Sequence, residues 1–418
     1  MNETILVVGG GISGLTAAVE AAEAGFDVLL LEKKPGLGGR VAQLNLYFPK
    51  LCSPNCGLEI IFKRLAANSR FRFLTSAEVI AVSGGEGSFE VVVNLKPTFV
   101  KENCTGCGRC AEVCPAERPN AFNFGFDRTK AAYLPHRLAF PYRYVIDGEA
   151  CRGPSCARCT AACPYGAIDL EMEARTLILK AGSVIWAAGW EPYDTARLGN
   201  YGGGRYPNVI TNMVLERMAS PGGPTSGKIL RPSDRREPAS IAFVQCAGSR
   251  DENHLRTCSG VCCLVSLKQA AYVRECCPEA RLAMFYIDIR ARGFYEDFYA
   301  RVREGTGIEL TKGKPGEIRE DPATGNLLVL VENQLNGRVL EENFELVVLA
   351  AGMAPSALCA GLPASARDRD GFVSPVLAPG FYAAGCATRP MEVAPAVRSG
   401  AAAALRAVQW LGRRGHGR

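Results

Sequence analysis

Two runs of cysteine constrain this chain more than any other feature of it. The first is Cys104-x2-Cys107-x2-Cys110-x3-Cys114-Pro115, and the second is Cys151-x4-Cys156-x2-Cys159-x3-Cys163-Pro164. Four thiolates at such spacings suit an iron–sulfur cluster, because soft sulfur ligands share charge with iron. A zinc site needs two pairs around one ion, which leaves the third close cysteine of each run and the Cys-Pro endings unexplained. The chain holds 18 cysteines in all. Its N-terminus, MNETILVVGG, has no basic region and no small-residue cleavage site, so no export signal is read there. A disulfide framework is therefore disfavoured by compartment, and the spacings are read as ligand sets.

The runs resemble those of bacterial two-cluster ferredoxins. That resemblance implies that the fourth cysteine of each run serves the other cluster. One [4Fe–4S] cluster is then expected on Cys104, Cys107, Cys110 and Cys163, the other on Cys151, Cys156, Cys159 and Cys114. The x4 spacing, RGPS, lengthens one loop of the second site.

At 418 residues the chain has room for two or three domains of roughly 100–200 residues each. No apolar run reaches the ~18 residues of a membrane span, so a membrane is expected to be met only through a partner and the location is read as cytoplasmic. The net charge of +6 is dispersed except for the tail GRRGHGR. It points away from nucleic acid and is compatible with an acidic redox partner.

The N-terminus reads as strand (4–8), helix (12–24) and strand (27–31). Gly9-x-Gly11-x-x-Gly14 lies at the first turn and Glu32 at the end of the second strand, 18 residues past Gly14. The glycines suit a tight turn, close backbone approach to a pyrophosphate at a helix N-terminus, and close helix–strand packing; Glu32 suits ribose hydroxyls. Lys33 follows it. The turn Gly38-Gly39-Arg40 is of the kind found in FAD proteins of the glutathione-reductase type. VIWAAG, with Ala188 and Gly189, and GFYAAG, with Gly385, read as two further strands ending at the cofactor. In that family an acidic residue usually follows the last glycine, where this chain has Cys386. FAD is the expected cofactor.

The order of elements resembles the two-dinucleotide-domain disulfide oxidoreductases such as thioredoxin reductase. The fold class is α/β: a Rossmann-type FAD domain with an inserted two-cluster ferredoxin segment and a second, degenerate nucleotide-binding-like domain. The expected divisions are 1–100 and 171–216 for the FAD domain, 101–170 for the insert, 217–239 for a Pro/Gly/Ser linker, 240–352 for the second domain, and 353–418 for the return to the first.

In that second domain the strand at 241–245 should lead into a Gly-rich turn. It leads instead to QCAGSRDENHLRTCSGVCC, with Cys246, Cys258, Cys262 and Cys263. Spacing alone leaves a third cluster and a set of unliganded buried cysteines both open. His254 lies in this stretch as a further candidate ligand. Cys52 and Cys56 are compatible with a redox dithiol, metal ligation or plain thiols. Cys276, Cys277 and Cys359 have no assignment, and His136 and His416 suggest none.

The segments RVAQLNLYFPKLC, FVQCAGSRDE, CSGVCC with the following KQAA, and GGPTSGKILRPSD resemble the A-type subunit of heterodisulfide reductase. They resemble more closely the A-type subunit of the quinone-interacting membrane-bound oxidoreductase of sulfate reducers. The chain's lack of the extra terminal iron–sulfur domains of longer relatives favours the second. The resemblance implies a third [4Fe–4S] cluster on Cys246, Cys258, Cys262 and Cys263, and places Lys268 near flavin N5. It implies partners: a second flavoprotein or iron–sulfur protein of the same complex, a membrane component that reacts with quinone, and adenylylsulfate reductase. Two other functions compete, an NAD(P)H-oxidising flavoenzyme and a non-catalytic redox relay. The first would need a second Gly-rich turn, the second an inert flavin.

Overall fold

The computed structural model describes residues 3–356 and 362–415. Cys359 and His416 lie outside them. The chain forms two compact units. One comprises the chain up to Ala42, Asn55–Trp190 and the chain from Pro355 onward; the other comprises Gln43–Pro54 and Glu191–Ala354.

The first unit is built on a six-stranded sheet in the order Val376–Ala378, Phe381–Ala383, Ser183–Trp186, Ile5–Val8, Val28–Leu31, Phe71–Leu74. All neighbours are parallel except the first pair. Ile5–Val8 and Ser183–Trp186 are buried along their whole length, which is why they read as unbroken apolar runs rather than alternating ones. The antiparallel strands Ala77–Gly85, Ser88–Leu95 and Arg175–Ala181 form a second sheet, and Val79, Phe89, Val91 and Val93 share one core with Leu6, Val8, Val184 and Trp186. The helices Ile12–Glu23 and Val393–Gly415 pack together. Gly400 permits this, because a Cβ there would stand 2.3 Å from Ser13 O.

The insert leaves after the strand Ser88–Leu95 and returns before Arg175–Ala181. It has two short helices, Arg109–Glu112 and Arg158–Ala162, and two small hairpins. Its core is Val100, Ala132, Ile146, Ala167 and Ile168 with cysteines from both runs.

The second unit repeats the plan. Its parallel sheet runs Val209–Thr211, Leu346–Ala351, Ser240–Ala247, Arg281–Tyr286, Glu309–Lys312. An antiparallel trio, Glu317–Glu320, Leu327–Asn333 and Arg338–Phe344, packs on it.

Three sequence divisions need correction. Residues 191–216 belong to the second unit, not to the flavin domain, and so do 43–54. The stretch 217–239 is not a linker: 217–219 end the helix Asn212–Ala219, and Ile229 and Arg231 are buried in the second unit. The Arg231 guanidinium donates through its two Nη atoms to Asn326 and Thr324 O and is ion-paired to Asp234 and Glu345 (both 3.5 Å), which offsets the cost of a charge inside. The helix Tyr295–Thr306 was not read from the sequence at all.

Candidate functional site

In the first unit, Gly9, Gly11 and Gly14 stand between the strand Ile5–Val8 and the helix Ile12–Glu23. Gly9 has φ +108°, and a Cβ on Gly14 would lie 1.9 Å from Gly9 O, so these two positions exclude side chains for packing reasons. A Cβ on Gly11 would meet nothing nearer than Gly39 Cα at 3.9 Å. Gly11 therefore has open space before it, at a helix N-terminus, as a pyrophosphate requires. Gly38 N–H donates to Gly10 O (2.8 Å), which lays the Gly38-Gly39-Arg40 turn against this loop. Glu32 is buried; its carboxylate accepts from Gly10 N–H (2.7 Å) and Lys34 N–H (2.8 Å). Each oxygen keeps a further lone pair for a ribose hydroxyl. Lys33 is half-buried beside it, and Ala188 and the positive-φ Gly189 close the strand Ser183–Trp186. This cradle fits an FAD.

Gly385 N–H donates to Ser399 Oγ (2.9 Å). Cys386 is buried, its thiol donates to Met391 O, and burial pushes its pKa up to about 11. It is a neutral thiol bonded to the protein's own backbone and does not replace the absent carboxylate.

The insert is fastened to this cradle. Leu37 N–H donates to Phe140 O (2.9 Å), and the Phe140 ring stacks on Phe62 (5.0 Å) and packs against Phe73 (5.4 Å). The Arg40 guanidinium lies over the rings of Phe124, from the insert, and Trp190, and its Nε donates to Trp190 O. His136, which suggested nothing in the sequence, stacks on Phe122 and sits 3.3 Å from Leu37 O. No local pattern marks these contacts; apart from the Phe122–His136 stack they join residues distant in the chain, up to 150 positions for Arg40 and Trp190.

Cys114 lines one cavity with Cys151, Cys156 and Cys159, about 340 Å³ including its mouth. A ligand from the first run thus faces three from the second. Cys110 is in the insert's core, and Cys104, Cys114, Cys151, Cys159 and Cys163 all pack against that core. Burial and the neighbouring Cys104 push the Cys110 thiol up to about 12, and burial likewise raises Cys159. Thiols so crowded stay protonated unless a metal core takes up their charge. Among the described residues no three His, Cys, Asp or Glu side chains converge on a single-ion site; a cubane, with one thiolate per iron, spreads its ligands wider.

Gly106 and Gly153, both at φ +74°, donate their N–H groups to Cys104 Sγ (3.5 Å) and Cys151 Sγ (3.4 Å). The lengthened second loop keeps the same contact as the first. The turn recurs a third time: Gly260, at φ +70°, donates to Cys258 Sγ (3.3 Å). The shared sequence signal is Cys-x-Gly, at Cys104, Cys151 and Cys258.

The third set lies in the second unit. Cys246, next to last in its strand, has φ +56°, where the pairing register shifts between Val244 and Ala247, so an irregularity turns the chain there. The helix Cys262–Cys276 opens on Cys262 and Cys263. Burial is the largest cause raising Cys246, to about 11, and also Cys262 and Cys263, and Cys258 adds to the rise in each. The helix starts ten residues after Glu252, so Asp251 and Glu252 do not stand at its N-terminus; Asp251 pairs with Lys314 (2.9 Å). His254 is engaged by Tyr193, Nδ1 to OH 2.7 Å.

Lys268 is not a solvated helix lysine. It is 1% exposed, ion-paired to the fully buried Glu216 (3.0 Å), and donates to Leu46 O (2.7 Å). Glu216 also accepts from Gln269 and from Asn45 N–H. Cys52 and Cys56 are both exposed, and all described cysteines are free thiols.

The family described as NAD(P)-binding Rossmann-like domain matches residues 7–74, and that described as 4Fe-4S dicluster domain matches 103–168. The chain is 40% identical to the A-type iron–sulfur subunit of CoB–CoM heterodisulfide reductase from Methanocaldococcus jannaschii, over 97% of its own length and 64% of that protein's. It is 39% identical to the A-type subunit of ferredoxin:CoB–CoM heterodisulfide reductase from Methanosarcina mazei, over 98% of its own length and 53% of that protein's. The chain thus spans less than two thirds of the length of these relatives. Among solved structures, thioredoxin reductase of T. acidophilum superposes with a TM-score of 0.55 at 15% identity, covering 97% of this chain and 98% of that one. Bacillithiol disulfide reductase of Bacillus cereus superposes with a TM-score of 0.54 at 15% identity, covering 99% and 100%. At that identity the likeness concerns the fold, the two-dinucleotide-domain α/β architecture.

Proposed function

We propose, from the premise that this chain is a homologue of the A-type subunit of heterodisulfide reductase, that it is the flavin and iron–sulfur electron-transfer component of a heterodisulfide reductase-like complex. It carries electrons between a membrane quinone pool, reached through a partner protein, and adenylylsulfate reductase in sulfate reduction. That it is an oxidoreductase follows from its relatives; the quinone and sulfur ends rest on the resemblance of its motifs. No helix among the described residues is long and apolar enough to cross a membrane.

One observation carries the electron-transfer reading: the cysteine-bearing insert is bolted to the dinucleotide turn, through Leu37 and Phe140 and through Arg40 and Phe124. FAD supplies the exchange between two-electron and one-electron carriers. The chain's own residues hold it: the glycine loop at its pyrophosphate, Glu32 at its ribose. Cys104, Cys107, Cys110 and Cys163 would hold one cluster, and Cys114, Cys151, Cys156 and Cys159 the other. A third cluster on Cys246, Cys258, Cys262 and Cys263 is supported by the repeated Cys-x-Gly turn and by the mutual crowding of the four thiols. Lys268 is assigned to the flavin, with Glu216 fixing its ammonium.

The competing nicotinamide reading is disfavoured by the second unit. Where a glycine turn would receive a pyrophosphate, the end of the strand carries buried Gln245 and Cys246 before Ala247, and the next helix opens on two cysteines. Anaerobic mixing of the FAD-loaded protein with excess NADH or NADPH should leave flavin absorbance unchanged, while a low-potential dye bleaches it. Bleaching by nicotinamide within seconds, saturating with its concentration, would overturn the proposal.

A further inference from the structure

The third cysteine set is enclosed by fixed charge. The segment after the strand Arg281–Tyr286 brings Asp288 and Arg290 against it. Cys263 Sγ lies 3.6 Å from Asp288 O, and the Arg290 backbone N–H bonds to the same sulfur. Arg250, four residues past Cys246, hydrogen-bonds to the Cys246 sulfur. Asp288 ties the two guanidiniums together, with Arg250 Nη1 at 2.5 Å and Arg290 Nε at 3.3 Å from Oδ1. Cys258, Asp288 and Cys246 all favour the charged form of the Arg290 guanidinium, so it serves the cysteine set as well as its carboxylate. Ser259 bonds to Cys262. By contrast, what acts on Cys110 and Cys159 of the insert is burial, other thiols and backbone N–H groups.

We propose that Arg250, Arg290 and Asp288 form a charge shell that raises the reduction potential of the iron–sulfur group on Cys246, Cys258, Cys262 and Cys263. This rests on the third-cluster reading above. The shell carries two positive charges and one negative. Reduction adds one negative charge to the group, and a net positive neighbour at contact distance favours the reduced state. Arg290 is 33% and Arg250 23% exposed, so the effect weakens with ionic strength. Arg290 supplies both a charge and a backbone donor; substitution of its side chain removes only the charge.

The test is a redox titration of the anaerobically purified complex, following the third cluster by EPR with iron counted in the same samples. Arg290→Gln should lower that cluster's electron affinity about tenfold, about 59 mV for a one-electron couple, and leave the two insert clusters where they were. Arg290→Lys should keep most of the potential. Asp288→Asn, which removes the negative member, should shift it the other way. Equal potentials in the parent, Arg290→Gln and Asp288→Asn, or shifts of the same sign in both variants, overturn the charge shell while leaving the cluster in place. A parent with only the insert's iron and no third signal overturns the cluster itself, and the shell with it.

Discussion

Replacing Cys114 by serine should remove the cluster proposed for the second cysteine run, not that of the first run to which Cys114 belongs in sequence. The reason is spatial: Cys114 shares its cavity with Cys151, Cys156 and Cys159, and its thiol acts on the ionisation of Cys159. A hydroxyl is a poor ligand for a soft iron–sulfur core. About four irons of the chain should be lost, with the FAD retained, because the flavin cradle contacts the insert through Phe124 and Phe140 and not through a cysteine. The EPR spectrum that remains should match that of Cys156→Ser and differ from that of Cys107→Ser. A spectrum matching Cys107→Ser would show that each run closes on its own cluster.

Glu216→Ala should be among the most destabilising single changes in the second unit. It strands the Lys268 ammonium, 1% exposed, without its counter-charge, removes the acceptor of Asn45 N–H, and takes from Gln269 Nε2 one of its two acceptors, leaving Asn212 O. Breaking one side of a buried ion pair costs about 3–5 kcal/mol, or roughly 6–20 °C in the melting temperature of a unit this size. Glu216→Leu combined with Lys268→Met, which removes both charges at similar volume, should recover much of that loss. Thermal unfolding followed by circular dichroism measures both. A Glu216→Ala melting temperature within a degree or two of the parent would mean that the pair is solvated and that Lys268 is not held in place.

The insert and the flavin cradle were legible because their chemistry is local. A cysteine run and a glycine turn fix their ligands within a dozen residues, and the apolar strands Ile5–Val8 and Leu346–Ala351 are buried throughout and can be read directly. What was illegible depends on partners far along the chain. Lys268 and Gln269 both point inward from a helix buried on most sides, so its pattern has no polar face to mark which lysine is solvated. The partner that makes burial tolerable, Glu216, is more than fifty positions away. The stretch 217–239 has linker composition, but Ile229 is buried, and Arg231 is inside because acceptors at 324–326 and 345 reach it. The Cys-x-Gly repeat was visible in the sequence, yet two residues are too common a pattern to carry weight until the glycines prove to have positive φ and to point their N–H groups at sulfur. The charged partners of the third set were hidden for the same reason as Glu216: Asp288 and Arg290 approach Cys246 and Cys263 from a different strand end.

Flavin extraction and iron analysis on anaerobically purified protein show most directly whether one chain carries a flavin and three clusters. The expected content is one FAD and about twelve irons per chain, four for each cubane. Flavin with about eight irons would remove the third site alone, whereas in protein that is otherwise folded the absence of FAD would contradict the flavin cradle, and a content well below eight irons the ligand sets of the insert.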